Sequence, residues 1–171
     1  MFNINMITII TSLFKGDEYI KFYLENITLC IDYSKCEHLI FNIVDSNTEN
    51  TTNIVKEYSN SYSNIKVINI KDDPGIYEIW NMGVRMASHK YILTSNVDDY
   101  ISKHFLRLSF NYLELNKTIN LVCFPVQASY IKNSNTFYSS ITSNNKKDIW
   151  FITKNTDTFF IKHKKKKYDF Y

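Results

Sequence analysis

The chain has 171 residues, of which 44% are hydrophobic and 16% aromatic, so it has the length and apolar content of one ordinary folded domain and is not a disordered chain. Only 3 Gly and 2 Pro occur, which excludes collagen-like and linker-like sequences. The net charge of +3 is unevenly divided, because residues 132–171 contain nine Lys and three Asp whereas residues 1–131 are mildly acidic.

The numbers and spacing of the arginine and cysteine residues exclude further classes of protein. Of the 20 basic residues only Arg85 and Arg107 are arginine, the side chain that phosphate and base recognition favours, so we expect no specific nucleic acid partner. Cys30, Cys36 and Cys123 form no CxxC motif and have no histidine at ligand spacing, which indicates a reduced chain without structural zinc. Because we find no export signal and no run of ~18 apolar residues, we expect a cytoplasmic protein.

Apolar runs alternate with apolar side chains at helical spacing along the chain. The runs predict strands at residues 6–14, 38–44, 65–70, 91–95 and 121–130. Helices are predicted at residues 16–31, 52–58, 76–87 and 105–115, the first with Asp17 and Glu18 in its first turn. This alternation is typical of an α/β sheet with parallel strands, whose ligand site lies at the carboxyl ends of the strands.

The helix predicted at residues 76–87 has one apolar stripe. It consists of Ile76, Ile79, Trp80, Gly83, Val84 and Ala87. We expect this stripe to pack on the sheet, with Gly83 allowing a close approach and Trp80 serving as a core residue.

Polar residues end three of the predicted strands, and a parallel sheet would bring them to one cleft. They are Thr11 and Ser12, then Asp45, then Asn96, Asp98 and Asp99. Adjacent carboxylates repel each other, and Mg²⁺ or Mn²⁺ held between them and a diphosphate would relieve that repulsion. No glycine-rich phosphate loop follows the first strand, which disfavours NTP hydrolysis and a dinucleotide cofactor. Alternatively, Asp98 and Asp99 cap a helix at residues 102–116, and for this pair alone the two interpretations are equally favoured.

Three segments together resemble the family 2 glycosyltransferases. Gly75, Asn81-Met82-Gly83, Ala87 and the strand that runs into Asn96-Val97-Asp98-Asp99 follow the order of the family's central block. Residues 9–12 are similar to its first strand, and residues 43–48 to its Val-Val-Asp-Asp-Gly-Ser motif. The resemblance covers residues 6–131 and implies a GT-A fold, a nucleotide-binding α/β/α sandwich with a mostly parallel central sheet.

The resemblance also implies a ligand and the residues that hold it. The donor would be a nucleotide-diphospho-sugar, with a UDP-sugar first among the candidates, and the cofactor Mn²⁺ or Mg²⁺ on Asp98. Nucleotide-sugar contacts would come from Thr11, Ser12, Asp45, Asn96 and Asp99. Asn96 stands where the family usually has Asp, and its amide still hydrogen-bonds a hydroxyl. Trp80 replaces a common Arg, and Ser46-Asn47 replaces Asp-Gly.

The sequence after Tyr130 departs most from the family. Inverting members have a carboxylate base there that deprotonates the acceptor hydroxyl. Here the candidates are Asp148 and Asp157, and neither stands in a recognisable Glu-Asp motif. We therefore expect a compact or truncated member, with residues 1–131 as the nucleotide-sugar-binding domain and residues 132–171 as a short extension with a basic tail.

The basic run from Lys162 to Lys167 has two interpretations. A solvated tail is the more favoured, since like charges repel. The other is a peripheral contact with an anionic membrane, where each Lys adds about 1 kcal/mol, close to lipid-linked acceptors.

The resemblance thus implies a transferase that moves a sugar, with inversion and with a divalent cation, to a glycan, lipid-linked or protein acceptor. The alternative is a non-catalytic nucleotide-sugar-binding or interaction module that has lost the acceptor half. A third interpretation is sequence-independent binding of nucleic acid by the lysine run, which would be sensitive to salt.

Overall fold

The computed structural model of the chain describes residues 6–123, 150–153, 160–162 and 167–169. The chain divides into two compact units, residues 1–110 and 111–171. Within the described residues, no helix has both the length and the apolar content needed to cross a membrane.

The first unit is built from alternating strands and helices, the last of which, α4, continues beyond residue 110. These elements are β1 (Ile7–Leu13), α1 (Ile20–Thr28), β2 (Glu37–Ile43), α2 (Glu49–Ser61), β3 (Ile65–Ile70), α3 (Ile76–Met86), β4 (Tyr91–Asn96) and α4 (Phe105–Leu115). The four strands form one parallel sheet in the order β3-β2-β1-β4. The parallel α/β sheet predicted from the sequence is therefore confirmed.

The described part of the second unit contains two antiparallel strand pairs. β5 (Ile119–Cys123) pairs with β6 (Trp150–Thr153), and β7 (Phe160–Lys162) pairs with β8 (Lys167–Asp169). The strand predicted at residues 121–130 thus begins two residues earlier and has an antiparallel partner. Both ends of the lysine run lie in strands, because Lys162 is paired with Lys167.

The two faces of the sheet have separate apolar cores. On one face, β1 and β2 pack against α1, α2 and the start of α4, with Ile9, Leu24 and Leu106 fully buried. On the other face, Ile10, Phe41 and Ile79 form a smaller core under α3. β1 and β2 are buried along almost their whole length, as strands covered on both faces must be.

The first helix begins later than the sequence predicts. α1 starts at Ile20, and its first turn has no acidic residue. Asp17 instead serves the next helix, because its carboxylate accepts hydrogen bonds from the Thr48 backbone N–H (3.0 Å) and from the hydroxyls of Thr48 and Thr51. Thr48 is also the N-cap of α2 and accepts from the Thr51 N–H, so this helix begins at Glu49 and not at residue 52.

The apolar stripe of α3 is buried only at its centre. Ile79 and Gly83 are buried, Trp80 is half-buried, and Ile76 and Val84 are exposed. The close approach predicted at Gly83 is confirmed, because a Cβ atom there would lie 2.5 Å from Ile10 Cγ2. The prediction that the whole stripe is core holds only for this central part of the described structure.

A buried polar cluster joins β1, β2 and α1. The imidazole of His38, fully buried, lies 2.9 Å from the Thr11 hydroxyl at Nε2 and 2.9 Å from the Tyr33 hydroxyl at Nδ1. Thr11 also contacts the Tyr23 hydroxyl at 2.7 Å. Burial lowers the pKa of His38 to about 3, because the charged imidazolium would lose its hydration. The cluster is therefore built around a neutral histidine.

A second buried group, Glu37, lies at the amino ends of the strands. Its carboxylate accepts hydrogen bonds from the Thr8 hydroxyl, from the Ser88 backbone and hydroxyl, and from Lys66 at 2.6 Å. Burial alone would raise the pKa of Glu37, but the bonds from Lys66, Ser88 and Thr8 outweigh it and lower the pKa to about 2.

These two groups predict a loss of stability in acid. Their pKa values are lower in the folded chain than the ordinary 6.5 and 4.5, so the unfolded chain binds protons first as the pH falls. Stability conferred by His38 is lost between about pH 6.5 and 3, and that conferred by Glu37 between about pH 4.5 and 2. Each group contributes a slope of up to about 1.4 kcal/mol per pH unit.

The measurement is urea unfolding at a series of pH values. His38→Gln should flatten the curve between pH 6.5 and 4.5, and Glu37→Gln should flatten it only below that range. His104→Gln is the matched control, since His104 is exposed. A His38→Gln curve with the same slope as the parent would show that His38 is not buried in the neutral form.

The close contact between α3 and β1 gives a second prediction. Gly83→Leu should lower the free energy of unfolding by about 1 to 3 kcal/mol, because the new side chain overlaps Ile10 in a packed core. Val84→Leu, one residue further along the same helix and half exposed, should change it little. Equal unfolding free energies for the two variants would contradict the packing described here.

Candidate functional site

The strand order creates a crevice at the carboxyl ends of β1 and β4. The chain passes from β1 through β2 to β3 on one side of the sheet and then returns to place β4 on the other side of β1. The carboxyl ends of the adjacent parallel strands β1 and β4 therefore lie side by side, at the edge of the sheet where open α/β sheets bind ligands. Ser12 and Asn96, the last residues of these strands to pair, lie side by side in register.

An open cleft of about 480 Å³ occupies this position. All the residues that line it belong to the first unit, and they come from β1, the loop after β1, the turn before α3, the first residue of α3, β4 and the turn after β4. They are Ser12, Phe14, Lys15, Tyr19, Asp73, Ile76, Asn96, Val97 and Asp98. The cleft thus combines aromatic surface, one lysine, two carboxylates, an amide and a hydroxyl, a mixture suited to a polar ligand with an apolar ring.

The turn after β4 is held in place from both sides. Val97 packs into the apolar core and lines the cleft between Asn96 and Asp98. The Asn26 side chain then pairs with the backbone of Ile101, accepting from its N–H at 2.8 Å and donating to its carbonyl at 2.9 Å. Asp98 is exposed to solvent at the end of this anchored turn.

Asp99 faces back toward the turn. Its backbone N–H donates to the Asn96 carbonyl at 3.2 Å, and its carboxylate accepts from the Asn96 N–H at 3.3 Å. Partial burial raises the pKa of Asp99, and the neighbouring Asp98 acts in the same direction. α4 begins only at Phe105, whose N–H bonds to the Ser102 carbonyl, so the alternative that Asp98 and Asp99 cap this helix is wrong.

The loop after β1 forms one wall of the cleft. Lys15 has a left-handed backbone (φ 49°), and its ammonium group lies 5.1 Å from the centre of the Phe14 ring. The next residue, Gly16, is buried, and a Cβ atom there would lie only 2.2 Å from Leu13 Cδ1. This tight turn directs Phe14, Lys15 and Tyr19 toward the cleft.

The structure brings together some of the residues expected at the site. Ser12, Asn96 and Asp98 line the cleft. Asp45 is exposed just after the carboxyl end of β2, at the same end of the sheet as the cleft. It is not one of the residues that line the cleft. The Thr11 hydroxyl belongs to the buried cluster with Tyr23, and its backbone lies in a strand paired on both sides.

Other cleft residues have no counterpart in the sequence-based site. Asp73 precedes α3, lines the cleft and accepts the Gly75 N–H at 2.9 Å. It follows β3 as Asp45 follows β2, so the same strand-end argument could have found it. Phe14, Lys15 and Tyr19 gave no such signal. The candidate bases Asp148 and Asp157 lie outside the described residues.

The donor set of the cleft fits a hard divalent cation that shares its coordination with a ligand. Asp98 and Asp73 supply carboxylate oxygens, which Mg²⁺ and Mn²⁺ prefer. Within the described part of the chain, no group of three His, Cys, Asp or Glu could hold a metal ion alone. Mg²⁺ is commonly bound by one or two carboxylates together with substrate phosphates, so two carboxylates are sufficient.

Comparison with protein families identifies the chain. The sequence model described as glycosyl transferase family 2 matches residues 8–168, almost the entire sequence. The chain belongs to this family. A search of curated proteins finds no significant match.

Two solved structures illustrate the fold of this glycosyl transferase family 2 chain. S. aureus TarS 1-349 in complex with UDP is 23% identical over 64% of this chain and 32% of its own, with a TM-score of 0.56. The mannosyltransferase PcManGT from Pyrobaculum calidifontis, in complex with GDP-Man and Mn²⁺, is 18% identical over 67% and 33%, with a TM-score of 0.58. The chain thus spans about a third of each relative's length. The predicted GT-A-type α/β sandwich is confirmed.

Proposed function

We propose that this chain binds a nucleotide-diphospho-sugar in the cleft between β1 and β4 and takes part in transferring the sugar to an acceptor. One observation carries the proposal: in a chain of glycosyl transferase family 2, Ser12, Asn96 and Asp98 line one cleft at the carboxyl ends of the adjacent parallel strands β1 and β4. UDP in the TarS structure and GDP-Man in the PcManGT structure support a nucleotide-sugar as the ligand.

Each cleft residue has a chemical role in this proposal. The Ser12 hydroxyl and the Asn96 amide hydrogen-bond the ribose or base, and Asp45 and Asp99 add contacts from the neighbouring loops. Phe14 and Tyr19 provide aromatic surface for the ring system. Lys15 faces the diphosphate as a point charge.

Asp98, with Asp73 beside it in the lining, would hold Mn²⁺ or Mg²⁺. Such an ion would supply positive charge to neutralise the charge on the leaving nucleotide. The Mn²⁺ in the PcManGT structure supports this cofactor. The residues of this chain keep the carboxylates at the cleft, because the buried Val97 anchors the turn on which Asp98 stands.

The acceptor side of the proposal rests on the sequence. Transfer with inversion needs a carboxylate base at the acceptor hydroxyl, and Asp148 and Asp157 remain the candidates. We propose a cytoplasmic location, with the run from Lys162 to Lys167 as a peripheral membrane contact for a lipid-linked acceptor. A glycan or a protein is an equally suitable acceptor for this chemistry.

The proposed donor is tested by calorimetry on the full chain with UDP-, GDP- and TDP-sugars, each with and without Mn²⁺. We expect one nucleotide class to bind, and to bind at least tenfold more tightly with Mn²⁺. Chromatography of a mixture with candidate acceptors then detects transfer. Binding without any glycosylated product would favour the alternative, a nucleotide-sugar-binding module without transferase activity. Absence of binding to every donor would overturn the proposal.

The metal site gives a further prediction. Asp98→Ala should weaken Mn²⁺-dependent nucleotide binding by tenfold or more, because the ion loses a carboxylate ligand. Asp99→Ala should weaken it less, since the Asp99 carboxylate bonds the Asn96 backbone. Asp72→Ala is the matched control, because it removes an exposed carboxylate that does not line the cleft. Equal affinities for the Asp98→Ala and Asp72→Ala variants would contradict the assignment.

A further inference from the structure

The loops that follow β1 and β2 are joined by a set of hydrogen bonds centred on Asn47. The Asn47 amide nitrogen donates to the Leu13 carbonyl at 2.7 Å and to the Ile43 carbonyl at 2.9 Å, which are the last residues of β1 and β2. It also lies 3.0 Å from the Asn42 side-chain oxygen. The Asn47 side-chain oxygen accepts from the Gly16 backbone N–H at 3.0 Å.

These partners define the orientation of the Asn47 carboxamide. Three acceptors face its nitrogen and one N–H faces its oxygen, so a flipped amide would lose all four contacts. The side chain thereby spans the two strand ends and the loop beyond β1. Polar bonds of this kind between half-buried groups are costly to leave unmade.

A second contact between the same loops comes from Asp17. Its carboxylate accepts from the Thr48 N–H at 3.0 Å and the Thr48 hydroxyl at 2.9 Å, and also from the Thr51 hydroxyl. These bonds lower the pKa of Asp17 below its ordinary value, which keeps the carboxylate ionised. We call Asn47 and Asp17, with these partners, the loop clasp.

The loop clasp holds the segment that forms a wall of the cleft. Asn47 binds Leu13 and Gly16, the residues on either side of Phe14 and Lys15. Asp17 fixes the segment between Gly16 and Tyr19. Lys15 has a left-handed backbone that costs energy for a side chain other than glycine, and such strain persists only where the surroundings impose it.

We infer that Asn47 is a positioning residue of the nucleotide site: through the loop clasp it fixes the β1–α1 loop in the conformation that presents Phe14, Lys15 and Tyr19 to the ligand. This inference rests on the proposed function. Asn47 does not line the cleft, and its effect on binding is one of preorganisation, since a loop that is already ordered loses less entropy when a ligand binds.

The test compares Asn47→Ala with Asn64→Ala. Asn64 is the matched control, because its amide nitrogen donates to the carbonyls of Tyr33 and Cys36, both at 3.1 Å. These bonds lie at the amino ends of the strands, far from the loops that Asn47 joins. Both variants lose an amide that joins two backbone carbonyls, so both should lower the melting temperature. Only Asn47→Ala should weaken the binding of UDP or GDP with Mn²⁺, by about tenfold.

Hydrogen exchange of the free protein provides a readout that does not need a ligand. Asn47→Ala should speed amide exchange at residues 13–19, and Asn64→Ala should leave exchange there unchanged. Asp17→Ala, an exposed residue, should have the same effect as Asn47→Ala to a smaller degree, and it decides the test if Asn47→Ala does not fold.

Each result separates the inference from the proposed function. A parent chain that binds neither nucleotide overturns both the proposed function and the positioning role. A parent that binds, with an Asn47→Ala variant of equal affinity, overturns only the positioning role. Faster exchange at residues 13–19 together with weaker binding, both absent in Asn64→Ala, supports the inference.

Discussion

The central position of β1 is the constraint on which the rest of the structure depends. This strand is paired with β2 on one edge and β4 on the other, and helices cover both of its faces. Its polar side chains must therefore find partners inside the protein, as Thr8 does with Glu37 and Thr11 with Tyr23. Only at its carboxyl end, at Ser12, does a side chain reach the cleft.

The two ends of the sheet are closed in different ways. At the amino ends, the buried carboxylate of Glu37 ties β2 to Thr8 and Ser88, and Asn64 bridges backbone carbonyls. At the carboxyl ends, Asn47 ties the loops to each other and leaves the crevice beside β4 open. Asn47 and Asp17, which order the loops at this end, are not among the residues that line the cleft.

The strands β1 and β2 were predictable from the sequence because both of their faces are buried. Such strands appear as continuous apolar runs, and the bounds of β1 and β2 differ by one residue at each end from the predicted 6–14 and 38–44. Gly83 was predictable as well, because its helical spacing placed it on the stripe that faces Ile10. The exposure of the two ends of the α3 stripe was not predictable, since periodicity shows which residues share a face of a helix but not how much of that face is covered by the sheet.

The site was predictable where it depends on strand ends and not where it depends on loops. Ser12, Asn96 and Asp98 follow from the rule that ligands bind at carboxyl ends. Asp17 was misassigned to its own helix because its partners, Thr48 and Thr51, are more than thirty residues away. In the sequence Asn47 is only a departure from the family motif. Its four hydrogen bonds depend on how the loops after β1 and β2 pack together, which the sequence does not show.

The charges in the cleft connect the position of the β1–α1 loop with the need for a divalent cation. One lysine, Lys15, lines the cleft together with two carboxylates, Asp73 and Asp98, so the side chains alone give the cleft a negative balance that would repel a diphosphate. Under the proposed function, a divalent cation on Asp98 reverses this balance. Lys15 then supplies further positive charge, and a loop that is held in place keeps its ammonium group near the ligand. Because Coulomb attraction falls with distance and with solvent exposure, an ordered β1–α1 loop strengthens the attraction between this lysine and the diphosphate.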